Sequence, residues 1–177
     1  VSLFNNYFGG GMGSIVFQTI RESKALAYST YSYYAQPSKL TDKAVVMAYV
    51  GTQADKLKEA VGGMNELLNK LPKNEINFEN AKLSLRKSLA SERVTQDNII
   101  FKYLASKKLG NNIDTRKVVY NMAPKITFAD IQKFHGKEFA NKPYVYCVVG
   151  NEENMPMEVL KKMGTYKQLS LEEIFGY

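Results

Sequence analysis

Arg21 and Tyr28 stand seven residues apart in IRESKALAYST, residues 20–30, where an amphipathic pattern gives way to an alternating one. Arginine is a permanent cation with a planar fork of donors, and a tyrosine hydroxyl is a neutral donor. Together they can hold a carbonyl or a developing oxyanion, which is what acyl transfer requires. A plain structural reading stands beside this one: Arg21 paired near Glu22 or solvated, and Tyr28 in the core. Other catalytic inventories are short. His135 is the single histidine, near the apolar face of its helix, and with no second His or Cys at ligand spacing it reads as packed rather than metal-binding. Cys147, the single cysteine, lies in an apolar strand pattern and reads as a small buried thiol; it permits no internal disulfide. The cluster GGGMGS, residues 9–14, lacks the lysine and the preceding strand of a phosphate loop, and reads as a turn that lets two helical segments pack closely.

The elements that must position these residues follow from periodicity. VSLFNNYF, residues 1–8, reads as the tail of a helix, broken by Gly9–Gly11 and Gly13. Ser14 to Arg21 forms a short second helix with Ile15, Val16, Phe17 and Ile20 apolar. Residues 27–35, AYSTYSYYA, suit a strand with Tyr31 and Tyr33 on one face and Tyr28 and Tyr34 on the other. KAVVMAYV, residues 43–50, reads as a central strand covered on both faces and joined to the first in a hairpin. Thr52 and Asp55 resemble a capping box for a helix carrying Leu57, Ala60, Val61, Met64, Leu67 and Leu68. A long helix is expected from about Asn77, interrupted near 95–98 and stopped by Gly110. Thr127 with Asp130 caps another, YVYCVVG at 144–150 reads as a strand, and a helix near 155–163 precedes a Ser170/Glu173 cap.

Composition bounds the class. A chain of 177 residues fits one globular domain, and 12 tyrosines with nine phenylalanines supply bulky core material. The longest apolar run, Ala44 to Val50, is too short to span a bilayer. The formal net charge of +7 invites a nucleic-acid reading, but the lysines are spread along helices and no recognition motif accompanies them. A basic chamber that attracts acidic peptides fits the charge equally well.

Residues 4–37, FNNYFGGGMGSIVFQTIRESKALAYSTYSYYAQP, resemble the non-zinc-binding homologous domain of the insulinase/pitrilysin peptidases, the inverzincins. The shared pattern is a glycine-rich turn after a helix, a short helix with Phe17, then Arg21 and Tyr28; the later layout is similar across nearly the whole chain. The resemblance implies an α+β fold, an α/β sandwich with a mostly antiparallel sheet packed against several long helices. Here the family's N-terminal strands would be missing, so that the chain, opening at Val1, would be one domain and a C-terminal fragment of a longer peptidase. In that family two halves close around a peptide, and the zinc-bearing half carries H-x-x-E-H, a motif not found in these 177 residues. The resemblance therefore implies no metal ligands here, zinc in a partner domain, peptide substrates, Arg21 and Tyr28 steadying the tetrahedral intermediate, and Phe17 lining the pocket beside the scissile bond. It also makes an exported or periplasmic location plausible. A catalytically inactive scaffold subunit of the same family is the alternative of a different class, and a basic nucleic-acid binder is the third.

Overall fold

Helix α1 (Ser2–Phe8) lies at the centre of the core, because Leu3, Phe4, Tyr7 and Phe8 recur at the spacing that fills one helical face and all four are buried. The computed structural model describes residues 1–177. The Phe4 ring centroid lies 4.8 Å from that of Phe139 and 5.0 Å from that of Phe134, so α1 is tied to α6 (Phe128–Glu138) by tilted aromatic contacts. Tyr7 is wholly buried, and its hydroxyl donates to the Pro72 carbonyl at 2.7 Å and accepts from the Asn74 amide at 3.0 Å. Those two bonds remove the penalty of burying a phenol. Ile15, Val16 and Ile20, the Met64/Leu67/Leu68 row of α2 (Leu57–Asn69) and the first half of α3 (Glu75–Ser91) complete the core.

The sheet is an antiparallel pair, β1 (Ser29–Ala35) and β2 (Val45–Gly51), with Tyr31 opposite Tyr49 and Tyr33 opposite Met47. Asn5 occupies the far side of β1: its side-chain amide donates to the Tyr34 carbonyl at 3.0 Å and its Oδ1 accepts from the Tyr34 amide at 2.8 Å. The glycine turn closes on the strand rather than on a second helix. A Cβ at Gly9 would come within 2.0 Å of the Ser32 carbonyl oxygen, so the turn sits flush on β1 only because that position has no side chain.

With the further helices α3, α4 (Gln96–Lys108), α5 (Thr115–Met122), α7 (Met157–Met163) and α8 (Leu171–Phe175) beside so small a sheet in one chain, the fold is α+β and mainly helical. Four further sequence expectations need correction. The β2 strand is not covered on both faces: Val46 and Val50 pack on the core, whereas Val45, Met47 and Tyr49 are exposed because nothing in the chain lies over them. Residues 144–150 do not form a strand, and no backbone hydrogen bond involves them. Their apolar pattern suits a strand, but a strand needs a neighbour. A hollow of about 790 Å³, lined by β2, α2 and this segment, lies where one would run. Cys147 is consequently exposed rather than buried. Thr52 does not cap a helix: Gln53 is the N-cap residue of a short 3-10 turn, Ala54–Lys56, and the Thr52 hydroxyl is buried without a partner.

The capping boxes at Thr127/Asp130 and Ser170/Glu173 form as expected, and Gly110 ends the α4 region with a left-handed φ of 72°. The interruption near residue 95 separates α3 from α4, while α5 carries no strong signal in the sequence. No helix is long and apolar enough to cross a membrane.

His135 is buried as expected, stacked on Phe139 with its Nε2 3.0 Å from the Leu67 carbonyl. That oxygen can only accept, so Nε2 carries the proton. Burial lowers the imidazole pKa from 6.5, with the Leu67 contact opposing in part. The unfolded chain then binds more protons between the lowered folded pKa and 6.5, so stability falls as pH drops through that window. We expect the urea midpoint of the wild-type chain to fall between pH 7 and pH 5 more than that of His135→Gln.

Candidate functional site

Arg21 and Tyr28 flank an unusual corner. From Phe17 to Ser23 the helix is wound as a π-helix, with the Lys24 amide donating to the Thr19 carbonyl at 3.0 Å. The wider spacing persists at its end, where the Leu26 amide donates to the Ile20 carbonyl at 2.9 Å. Ala25 then takes a left-handed φ of 49°, a conformation that costs a non-glycine residue energy and is common at functional sites. Ile20, fully buried, anchors the inner face of the turn in the core, which leaves Arg21 to the surface. The Tyr28 amide donates to the Gly51 carbonyl at 2.9 Å, fixing the first residue beyond the corner to the end of β2.

The side chains at this corner are free to act outward. Arg21 lies over the Phe17 ring, its guanidinium carbon 4.8 Å from the centroid, as the i, i+4 spacing allows. Its Nε is 3.8 Å from a Glu22 carboxylate oxygen, an exposed contact worth little. Tyr28 is 74% exposed, and its hydroxyl accepts from the Gln53 side-chain amide at 3.3 Å, keeping its own proton for another acceptor. The structural reading of Tyr28 as a core residue therefore fails. The structure unites Phe17 with Arg21; no hydrogen bond joins Arg21 to Tyr28, which sits at the rim of the larger hollow instead. Gln53 and Ala25 are the participants that sequence reasoning missed. Gln53 follows the β2 strand without any motif, and nothing marks an alanine for the left-handed region.

No zinc site fits these residues. No group of three or more His, Cys, Asp or Glu side chains is gathered anywhere, and the His135 Nε2 is directed at a main-chain carbonyl.

Comparison with known proteins agrees with this picture. Residues 1–85 match the Peptidase M16 inactive domain. The chain is 25% identical over 156 residues to the protein named Uncharacterized zinc protease YmxG of Bacillus subtilis, covering 87% of this chain and 37% of that protein. It is 35% identical over 107 residues to an Uncharacterized zinc protease of Rickettsia felis, covering 59% of this chain and 24% of that one. It thus spans well under half the length of these curated relatives. The crystal structure of a peptidase M16 inactive domain from Pseudomonas fluorescens superposes with a TM-score of 0.62 over 77% of this chain and 33% of that one, at 21% identity, and so shares the fold. Phe17, Arg21 and Tyr28 all lie within the matched residues 1–85, and the family match, the zinc-protease relatives and the shared fold together support a likeness to the inactive, C-terminal domain of the M16 peptidases, the insulinase/pitrilysin family.

Proposed function

We propose that this chain is the substrate-binding half of a zinc-dependent metalloendopeptidase and part of a longer protein or a two-subunit enzyme. The observation that carries the reading is the corner itself. A π-helical turn and a left-handed alanine present a cation over Phe17 on one side and an exposed phenol on the other. Peptide hydrolysis puts negative charge on the former carbonyl oxygen, and donors placed beforehand stabilise that charge without reorganising. In this role Arg21 and Tyr28 bind the substrate backbone and steady the tetrahedral intermediate, and Phe17 packs beside the side chain next to the scissile bond. Zinc and its activated water belong to a homologous partner domain.

A scaffold subunit would have no use for two outward donors at one corner, which favours the catalytic reading. The test mixes the chain with a zinc-bearing H-x-x-E-H domain and follows cleavage of a quenched fluorescent peptide. We expect no cleavage by either half alone and zinc-dependent cleavage by the mixture. Cleavage by this chain alone, in proportion to its concentration, would overturn the assignment.

A further inference from the structure

A second hollow, of about 390 Å³, opens between the glycine turn and β1, walled by Gly9–Gly11, Met12, Phe17, Tyr31 and Tyr33. Its size lies at the small end of ligand sites, suited to one large side chain. Its polar floor is already engaged: the Thr30 hydroxyl donates to the Tyr49 carbonyl at 2.9 Å and the Ser32 hydroxyl to the Met47 carbonyl at 3.0 Å. A polar occupant would lose water and find those protons committed. No acidic side chain lines the hollow, and the Arg21 guanidinium covers the Phe17 wall, so a cationic occupant would be repelled and unpaired.

What the hollow does offer is aromatic surface. Tyr33, Tyr31 and Tyr49 stack in a row across the uncovered face of the sheet, with centroid spacings of 6.0 and 5.1 Å and planes within 26° and 18° of parallel. The hydroxyls of Tyr31 and Tyr49 make no hydrogen bond, and both rings are more than a third exposed. Such a row extends by one more ring in an offset or edge-on arrangement.

The geometry points to a subsite for one aromatic side chain of an extended peptide, a neighbour of the residue that packs on Phe17 and separated from it by the Phe17 ring. The inference rests on the substrate-binding role proposed above for Arg21 and Tyr28.

The test measures binding by calorimetry to the full-length protein that carries this chain, using alanine-based octapeptides in which a single Phe, or a single Lys, is walked along the sequence. At one position we expect Phe to tighten binding about tenfold over Ala, and Lys to weaken it. Tyr31→Ala and Tyr33→Ala each remove a ring from the wall of the hollow, and each should erase the Phe preference. A Phe preference that survives both substitutions overturns the subsite. Equal binding of all peptides, still weakened by Arg21→Ala, overturns the subsite alone. A Phe preference lost in Tyr33→Ala, with binding indifferent to Arg21→Ala, keeps the subsite and removes the clamp. No binding of any peptide overturns both.

Discussion

If the proposed function holds, Tyr28→Phe in the complete enzyme is expected to lower kcat by about 10²-fold with KM nearly unchanged, an effect equivalent to about 2.7 kcal/mol of transition-state stabilisation. The split between kcat and KM follows from the chemistry. A phenol donor strengthens as the carbonyl oxygen acquires charge and contributes little to the neutral ground state. Folding gives no competing explanation, because Tyr28 is 74% exposed and its hydroxyl makes only a 3.3 Å contact with Gln53. Arg21→Ala is expected to match or exceed the loss, and the double variant to fall short of the product of the two, since in the proposed role both donors would serve one oxyanion. A Tyr28→Phe enzyme with unaltered kcat would make Tyr28 merely structural. Steady-state kinetics on one peptide, with circular dichroism as a control, decide the matter.

Gly9→Ala is expected to destabilise the fold by about 3 kcal/mol, lowering Tm by roughly 6–12 °C in a chain of this length. The obstacle is main chain: the new Cβ would lie 2.0 Å from the Ser32 carbonyl oxygen and 2.5 Å from its amide nitrogen. Neither atom can move without shifting β1, which Asn5 holds at Tyr34 and β2 holds along its length. The φ of Gly9, −142°, is open to any residue, so the whole cost is steric. Gly11→Ala is the control, because its Cβ meets nothing within 4 Å; that variant should melt within a degree or two of the wild type or slightly above it. Thermal scans of the two variants in one buffer test the contrast. Equal melting would mean that the turn does not rest on the strand.

Where the sequence speaks through neighbours a few residues apart, it can be read. The Thr127/Asp130 and Ser170/Glu173 boxes form because both partners sit within one turn, and Arg21 reaches Phe17 by the same i, i+4 logic. The apolar rows of α1 and α2 declare their buried faces for the same reason. Residues 144–150 fail because a strand is a relation between two segments, and an apolar run states only half of it. Thr52/Asp55 fails by a shift of one residue, since Gln53 begins the turn. At the site, residue types were legible but their presentation was not. The left-handed φ of Ala25 and the π-helical winding that turn Arg21 and Tyr28 outward are set by the burial of Ile20 and the tether of the Tyr28 amide to Gly51, both of them long-range facts.

The α4 helix has no buried residue, and Ile100 and Phe101 stand 66% and 70% exposed, while α3 just before it is pinned by Phe78 and Ala81. The ion pair of Lys102 with Glu92 ties α4 to the end of α3, whereas Arg86 on Tyr120 and Arg116 beside Glu92 hold α5 there. The chain therefore does not open as one cooperative unit. Amide protons of α1, α2 and α6 exchange only when the aromatic core comes apart, whereas those of α4 exchange by fraying that leaves the core intact. A covering protein surface would slow α4 exchange selectively, so hydrogen exchange reads out the docking of this helix separately from the stability of the fold.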